Sequence, residues 1–145
     1  MKNTLKRRNP IFRISNRQRK HAVNLEEVRK ALGNNPGLFS SPPEEIGVCI
    51  VSDRAIRKIN REFLGRDCTT DVMSFRISRK YGEIIISAET AMLNGPLYGK
   101  SFVQEIVYLA IHGYLHLKNY RDYTPPEREK MLKLQDEIYA GIDWL

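Results

Sequence analysis

The sequence predicts an α+β fold, a small mixed β-sheet with helices packed on it. Short β-branched runs, such as Ile46 to Val51 and Glu83 to Ser87, interleave with segments whose apolar residues recur at helical spacing. Capping sequences mark helix starts, most clearly Thr124-Pro-Pro-Glu127, where threonine caps, proline fills the first turn and glutamate closes the box. The runs over 72–77 and 83–87 are separated only by a turn, which reads as an antiparallel hairpin. A length of 145 residues fits one domain over 1–145, large enough to bury a core without disulfides.

In chain order, Ile11 to Ser15 is the first candidate strand. Asn24-Leu-Glu-Glu27 has the form of a capping box and opens a helix to about Leu32, which Gly33 and Asn34 end. Pro36, Gly37, Pro42 and Pro43 mark a loop before the strand Ile46 to Val51, whose apolar run suits a central position. Ser52 or Asp53 caps a second helix with Ala55, Ile56, Ile59 and Phe63 at helical spacing. A loop over 65–70 leads to the hairpin, and a short helix runs from Ala88 to near Asn94-Gly95-Pro96. The longest helical pattern, Phe102 to Leu117, is apolar at Phe102, Ile106, Val107, Leu109 and Ala110. The last helix follows Thr124 and reaches about Ala140.

Charge is unevenly placed. Eight of the 24 Lys and Arg lie in residues 1–20 with no acid among them, so the remaining chain is close to neutral. This basic N-terminal arm (about 1–20) either contacts phosphates or is a solvated tail. No run of about 18 apolar residues is present, which argues against a membrane span, and the first 20 residues lack the apolar stretch of a secretory leader. Cys49 sits in an apolar run and Cys68 in a polar loop; no disulfide is demanded, and a cytoplasmic location is expected.

The chemistry concentrates in Ile111-His-Gly-Tyr-Leu-His-Leu-Lys-Asn-Tyr-Arg-Asp122. His112 and His116, two of only three histidines, are four apart, so their rings leave one helix face about 6 Å apart along the axis and suit one tetrahedral metal ion. Such a pair also occurs as plain packing. A third ligand must come from where the chain turns back, and Asp122, six residues past His116, offers a carboxylate. Asn119 suits the sharp turn this requires, because asparagine tolerates the left-handed conformation. Gly113 costs helix propensity and so suggests close approach of a strand or a substrate. It also occupies the place where H-E-x-x-H peptidases carry their general base, which counts against a metallopeptidase. Glu105, two turns before His112, is a candidate for orienting an imidazole or an ordinary surface charge.

The segment His112-Gly-Tyr-Leu-His-Leu117 resembles the signature of the YbeY family, single-domain metal-dependent endoribonucleases of rRNA maturation and ribosome quality control. Ile59-Asn60 with Asp67, Thr70-Asp-Val-Met-Ser-Phe75, Gly82-Glu-Ile-Ile-Ile-Ser87, and Gly99-Lys-Ser101 with Glu105 are similar to further family stretches, in order and at suitable spacing. The resemblance implies a metal site on a long helix and the following turn, one Zn²⁺ or similar divalent ion per chain on His112, His116 and Asp122, and hydrolysis of single-stranded RNA. It further implies RNA, ribosomal RNA or its precursors, and the ribosome or its proteins as partners. Four basic residues on loop or hairpin positions, Arg66, Arg76, Arg79 and Lys80, are candidate phosphate contacts. Asp71 and Ser74 either border the cleft or, for Asp71, hold a turn.

The sequence also departs from the family pattern. Asp122 stands where the family carries its third histidine, Leu64 where it carries an arginine, and Thr69 and Arg76 where it carries prolines. A one-residue shift would instead put Tyr123 at the ligand position. A ribosome-associated or RNA-binding factor without catalysis is the alternative that these changes leave open.

Overall fold

A computed structural model describes residues 8–144. Four strands, β1 (Ile11–Asn16), β2 (Glu45–Val51), β3 (Val72–Arg76) and β4 (Tyr81–Ser87), alternate with five helices, α1 (Leu25–Gly33), α2 (Asp53–Leu64), α3 (Ala88–Leu97), α4 (Phe102–Leu117) and α5 (Pro125–Ala140). The sheet order is β1-β2-β4-β3. β1 and β4 flank β2 in parallel, and β3 closes the sheet as an antiparallel edge strand against β4. Both expectations about pairing hold: β2 is central, and the β3–β4 turn makes a hairpin.

Alternation along β2 and β4 divides the core. Ile46, Val48 and Ile50 face the same side as Ile84 and Ile86 and pack with residues of α1, α3, α4 and α5. Val51, Cys49 and Ile85 face the other side, where Ile56, Ala55 and Ile59 of α2 cover them together with Met73 and Phe75 of β3. Hence α2 lies on one face of the sheet and the remaining helices on the other. Each fully buried isoleucine contributes about 1.5–3 kcal/mol, which is why the apolar runs fix the register.

Capping follows the sequence signals in part: Asn24 caps α1, but the expected box with Glu27 forms only on the Asn24 side. The side chains of Asn24, Ser52, Ser87, Ser101 and Thr124 accept from backbone N–H groups in the first turns of their helices. Complete capping boxes form at Ser101 with Gln104 and at Thr124 with Glu127. α4 is the central helix: Ile106, Val107, Ala110 and Ile111 are fully buried. It lies so close to the sheet that a Cβ on Gly113 would stand 2.6 Å from Ile84 Cγ2 and 2.9 Å from Ser74 Oγ. Gly113 thus admits a strand, and Ser74 Oγ donates to the Gly113 carbonyl at 3.0 Å.

The expected basic arm is only partly visible as one. Residues 1–7 lie outside the described residues, whereas 11–16 are built into the sheet as β1 and Arg13 pairs with Glu45 at 3.0 Å. Backbone pairing to β2 takes this stretch out of the tail, and its one charge, Arg13, lies beside Glu45.

Candidate metal centre

The end of α4 builds the site. Lys118 is its C-cap and Asn119 takes the left-handed conformation (φ 71°), as expected for the turn. Asn119 N–H then donates to the His116 carbonyl at 2.9 Å and Tyr120 N–H to the Leu115 carbonyl at 3.0 Å, the paired bonds of a Schellman motif. This reversal points the Tyr120 carbonyl back at the helix, where His116 Nδ1 meets it at 3.1 Å. The chain continues to Asp122, and Arg128 in the first turn of α5 holds the Asp122 and Tyr123 carbonyls at 3.3 and 3.1 Å.

Three donor atoms converge there. His112 Nε2 and His116 Nε2 are 3.1 Å apart, and Asp122 Oδ2 lies 3.6 Å from the first and 3.4 Å from the second. A tetrahedral ion with bonds of about 2.0–2.1 Å separates its ligand atoms by roughly 3.3–3.4 Å, so the triangle fits one such ion. Asp122, not Tyr123, is brought to the imidazoles. Side-chain exposures of 23, 30 and 34% for His112, His116 and Asp122 leave the triangle open to solvent on one side.

The outer nitrogens settle the tautomers. His112 Nδ1 lies 3.1 Å from Gln135 Oε1, and Gln135 Nε2 donates to the Tyr108 carbonyl at 3.0 Å, which fixes which end of the amide faces the ring. With Nδ1–H donated to Gln135 and, on His116, to the Tyr120 carbonyl, both Nε2 lone pairs face the triangle. Burial, reinforced by the neighbouring His112, pushes the His116 imidazole below its ordinary value, against the pull of Asp122. It is therefore neutral at physiological pH and available as a ligand.

Glu105 does not orient an imidazole. It is 3% exposed, its Oε1 has no hydrogen-bond partner among the described residues, and both outer nitrogens are taken by other groups. Burial pushes its carboxyl up to about 7, with Lys100 opposing and Asp71 adding to the shift. Gln135 on α5 holds the role instead. Its sequence signal is a polar residue on the apolar side of an amphipathic helix, four residues after the buried Met131.

His116, Asp122 and Tyr123 form one wall of a groove of about 590 Å³ that Ser74, Phe75 and Arg66 also line. Of the four expected phosphate contacts, Arg66 reaches this groove. Arg76 is committed elsewhere: its guanidinium donates to the Leu117 carbonyl at the end of α4 and to the Arg79 carbonyl. That use satisfies a helix terminus and holds Arg76 against the end of α4, outside the groove lining. Arg79 and Lys80 lie in the β3–β4 turn, outside the groove lining. Ser74 borders the groove, while Asp71 holds a turn by accepting from Val72 N–H at 2.8 Å.

Known proteins match this chain over nearly its whole length. The family model for endoribonuclease YbeY matches residues 13–143. Endoribonuclease YbeY of Geobacter sulfurreducens is 33% identical over 141 residues, covering 90% of this chain and 94% of the relative. The Lysinibacillus sphaericus protein of the same name is 37% identical over 133 residues, covering 81% and 85%. The solution structure of TM1509 from Thermotoga maritima superposes with a TM-score of 0.63 at 25% identity, over 90% of this chain and 87% of that one. With the fold, the histidine helix and these matches in agreement, the chain belongs to the YbeY endoribonuclease family.

Proposed function

We propose that this protein is a metal-dependent endoribonuclease that hydrolyses phosphodiester bonds of single-stranded RNA in rRNA maturation and ribosome quality control. The carrying observation is the triangle of His112, His116 and Asp122 donors at 3.1–3.6 Å, opening beside a groove that Arg66 lines. Family membership supplies the reaction class, because the matched relatives are named endoribonucleases. Two imidazoles and a carboxylate in tetrahedral spacing suit Zn²⁺, one per chain.

Such an ion, when bound, supplies Lewis acidity and a water made acidic enough to act near neutral pH. The chain's own residues do the rest. Gln135 and the Tyr120 carbonyl hold the two rings so that their Nε2 atoms stay convergent. Arg66 offers a guanidinium to a phosphate oxygen, a bidentate geometry lysine lacks. Asp122 contributes a negative charge where the family pattern has a neutral imidazole, which lowers the electrophilicity of the centre. The peptidase reading has no support in the geometry, since the position after the first histidine, Gly113, faces Ile84 and Ser74 of the sheet. A cytoplasmic location and contact with the ribosome belong to the same proposal; among the described residues, no helix is long and apolar enough to cross a membrane.

The test is cleavage of a labelled single-stranded RNA by metal-loaded protein. Activity abolished by a chelator, restored by Zn²⁺ and absent in His116→Ala supports the reading. Cleavage that survives His116→Ala, or a loaded wild type that cuts nothing, removes it and leaves an RNA-binding role.

A further inference from the structure

We infer that the exposed face of α2 is a docking surface for the ribose-phosphate backbone of single-stranded RNA, outside the metal groove. Arg54, Arg57, Lys58 and Arg61 recur at i, i+3, i+4 and i+7, which places them on one side of the helix. With Ser52 and Ala55 they line a surface depression of about 710 Å³. α2 lies on the sheet face opposite the other helices, so no other helix among the described residues covers this surface.

The acids near it are largely spent. Asp53 turns inward and accepts from Thr90 Oγ1 at 3.0 Å and from Ser87 Oγ. Asp67 bridges Arg57 and Arg61 at 2.9 and 3.4 Å, which holds two guanidinium groups in place and neutralises one charge. Glu62 is the remaining acid of the helix. Arg54 and Lys58 have no side-chain partner among the described residues. Like charges one turn apart repel, and apart from Glu62, one turn beyond Lys58, no acid of the helix is free to offset that repulsion. A polyanion offsets it.

Continuity with the groove identifies the polyanion. Asn60 and Leu64 of the same helix, and Arg66 just beyond it, line the metal groove. A strand crossing the groove past Arg66 therefore meets the basic side of α2 next. This direction for the strand rests on the ribonuclease reading; the surface itself does not. It also gives the chain a phosphate-holding set beside the position where Leu64 offers no cation.

The experiment measures binding of a fluorescein-labelled oligouridylate to the full chain in excess chelator, over a salt series. The double variant Arg54→Gln/Lys58→Gln removes two exposed cations. We expect it to fold normally by its melting curve and to lower the slope of log affinity against log salt by about 1.4, since each lost single-strand phosphate contact removes about 0.7. Lys30→Gln/Lys133→Gln makes the same change in net charge on the helices of the opposite face and leaves the slope unchanged. Asp67→Asn releases Arg57 and Arg61 and tightens binding. An unchanged slope in the α2 variant, an equal fall in the Lys30/Lys133 control, or competition by polyglutamate as effective as by RNA overturns the inference. Because chelator is present, the outcome is independent of cleavage. A chain that binds through α2 but cuts nothing loses the nuclease reading alone, and one that cuts RNA with an unaltered slope loses the α2 surface alone.

Discussion

Replacing Gln135 with leucine separates orientation of a ligand from ligation itself. Gln135 touches neither the triangle nor the groove; it accepts from His112 Nδ1 at 3.1 Å and is fixed by its own bond to the Tyr108 carbonyl. At 2% exposure no solvent replaces it. Gln135→Leu keeps the volume and loses both bonds, so His112 can rotate or take the other tautomer, with its proton on the nitrogen that faces the metal. Loss of such an outer partner lowers metal affinity about 10–100-fold, or ~1.4–2.7 kcal/mol. Competition of Zn²⁺ against a chromophoric chelator reads this directly, and thermal melting of the metal-free protein reads any folding cost separately. Gln135→Glu keeps an acceptor for His112 Nδ1 but loses the bond to the Tyr108 carbonyl, so it should hold the metal more tightly than Gln135→Leu. An affinity within twofold of wild type for a folded Gln135→Leu protein would refute the assignment of His112 orientation to this amide.

Further outcomes follow from the same geometry. For Glu105, the folded carboxyl titrates near 7, above the ordinary 4.5, so its burial costs stability as pH rises from the ordinary value through 7 and costs nothing below both. Glu105→Gln should therefore raise stability by up to ~3 kcal/mol at pH 8 and by almost nothing at pH 4, read by urea unfolding at both values; a pH-independent difference would contradict this. Gly113→Ala gains about 1 kcal/mol of helix propensity but forces a methyl to within 2.6 Å of Ile84, so a net loss of ~1–2 kcal/mol is expected on thermal melting. Asp122→His restores the donor type of the family pattern and removes a negative charge, so the pH midpoint of RNA cleavage should move to lower pH; a shift upward would count against Asp122 as a ligand.

Much of this was legible in the sequence because it rests on local chemistry. The capping residues at Asn24, Ser52 and Thr124, the hairpin of β3 and β4, and the left-handed Asn119 each depend on a few neighbouring side chains. The histidine pair is legible for the same reason, since helical spacing alone puts both rings on one face. What the sequence hid depends on distant segments. Gln135 is 23 residues from His112, and only the packing of α5 on α4 brings them together. Arg76 looks like a free cation until the end of α4 is set beside β3, where a carbonyl without a helical partner claims it. Glu105 reads as a surface charge or an orienting group because nothing local reveals that its turn of α4 is buried. The basic side of α2 needs the assignment of helices to sheet faces, which apolar spacing does not give.

Metal content of the purified full chain tests the central claim most directly. After loading with Zn²⁺ and removal of excess, elemental analysis should find one equivalent per chain in wild type and almost none in His116→Ala or Asp122→Ala, with all three proteins folded. Wild type without bound metal, or an Asp122→Ala protein that retains a full equivalent at unchanged affinity, would contradict a site built from two imidazoles and this carboxylate.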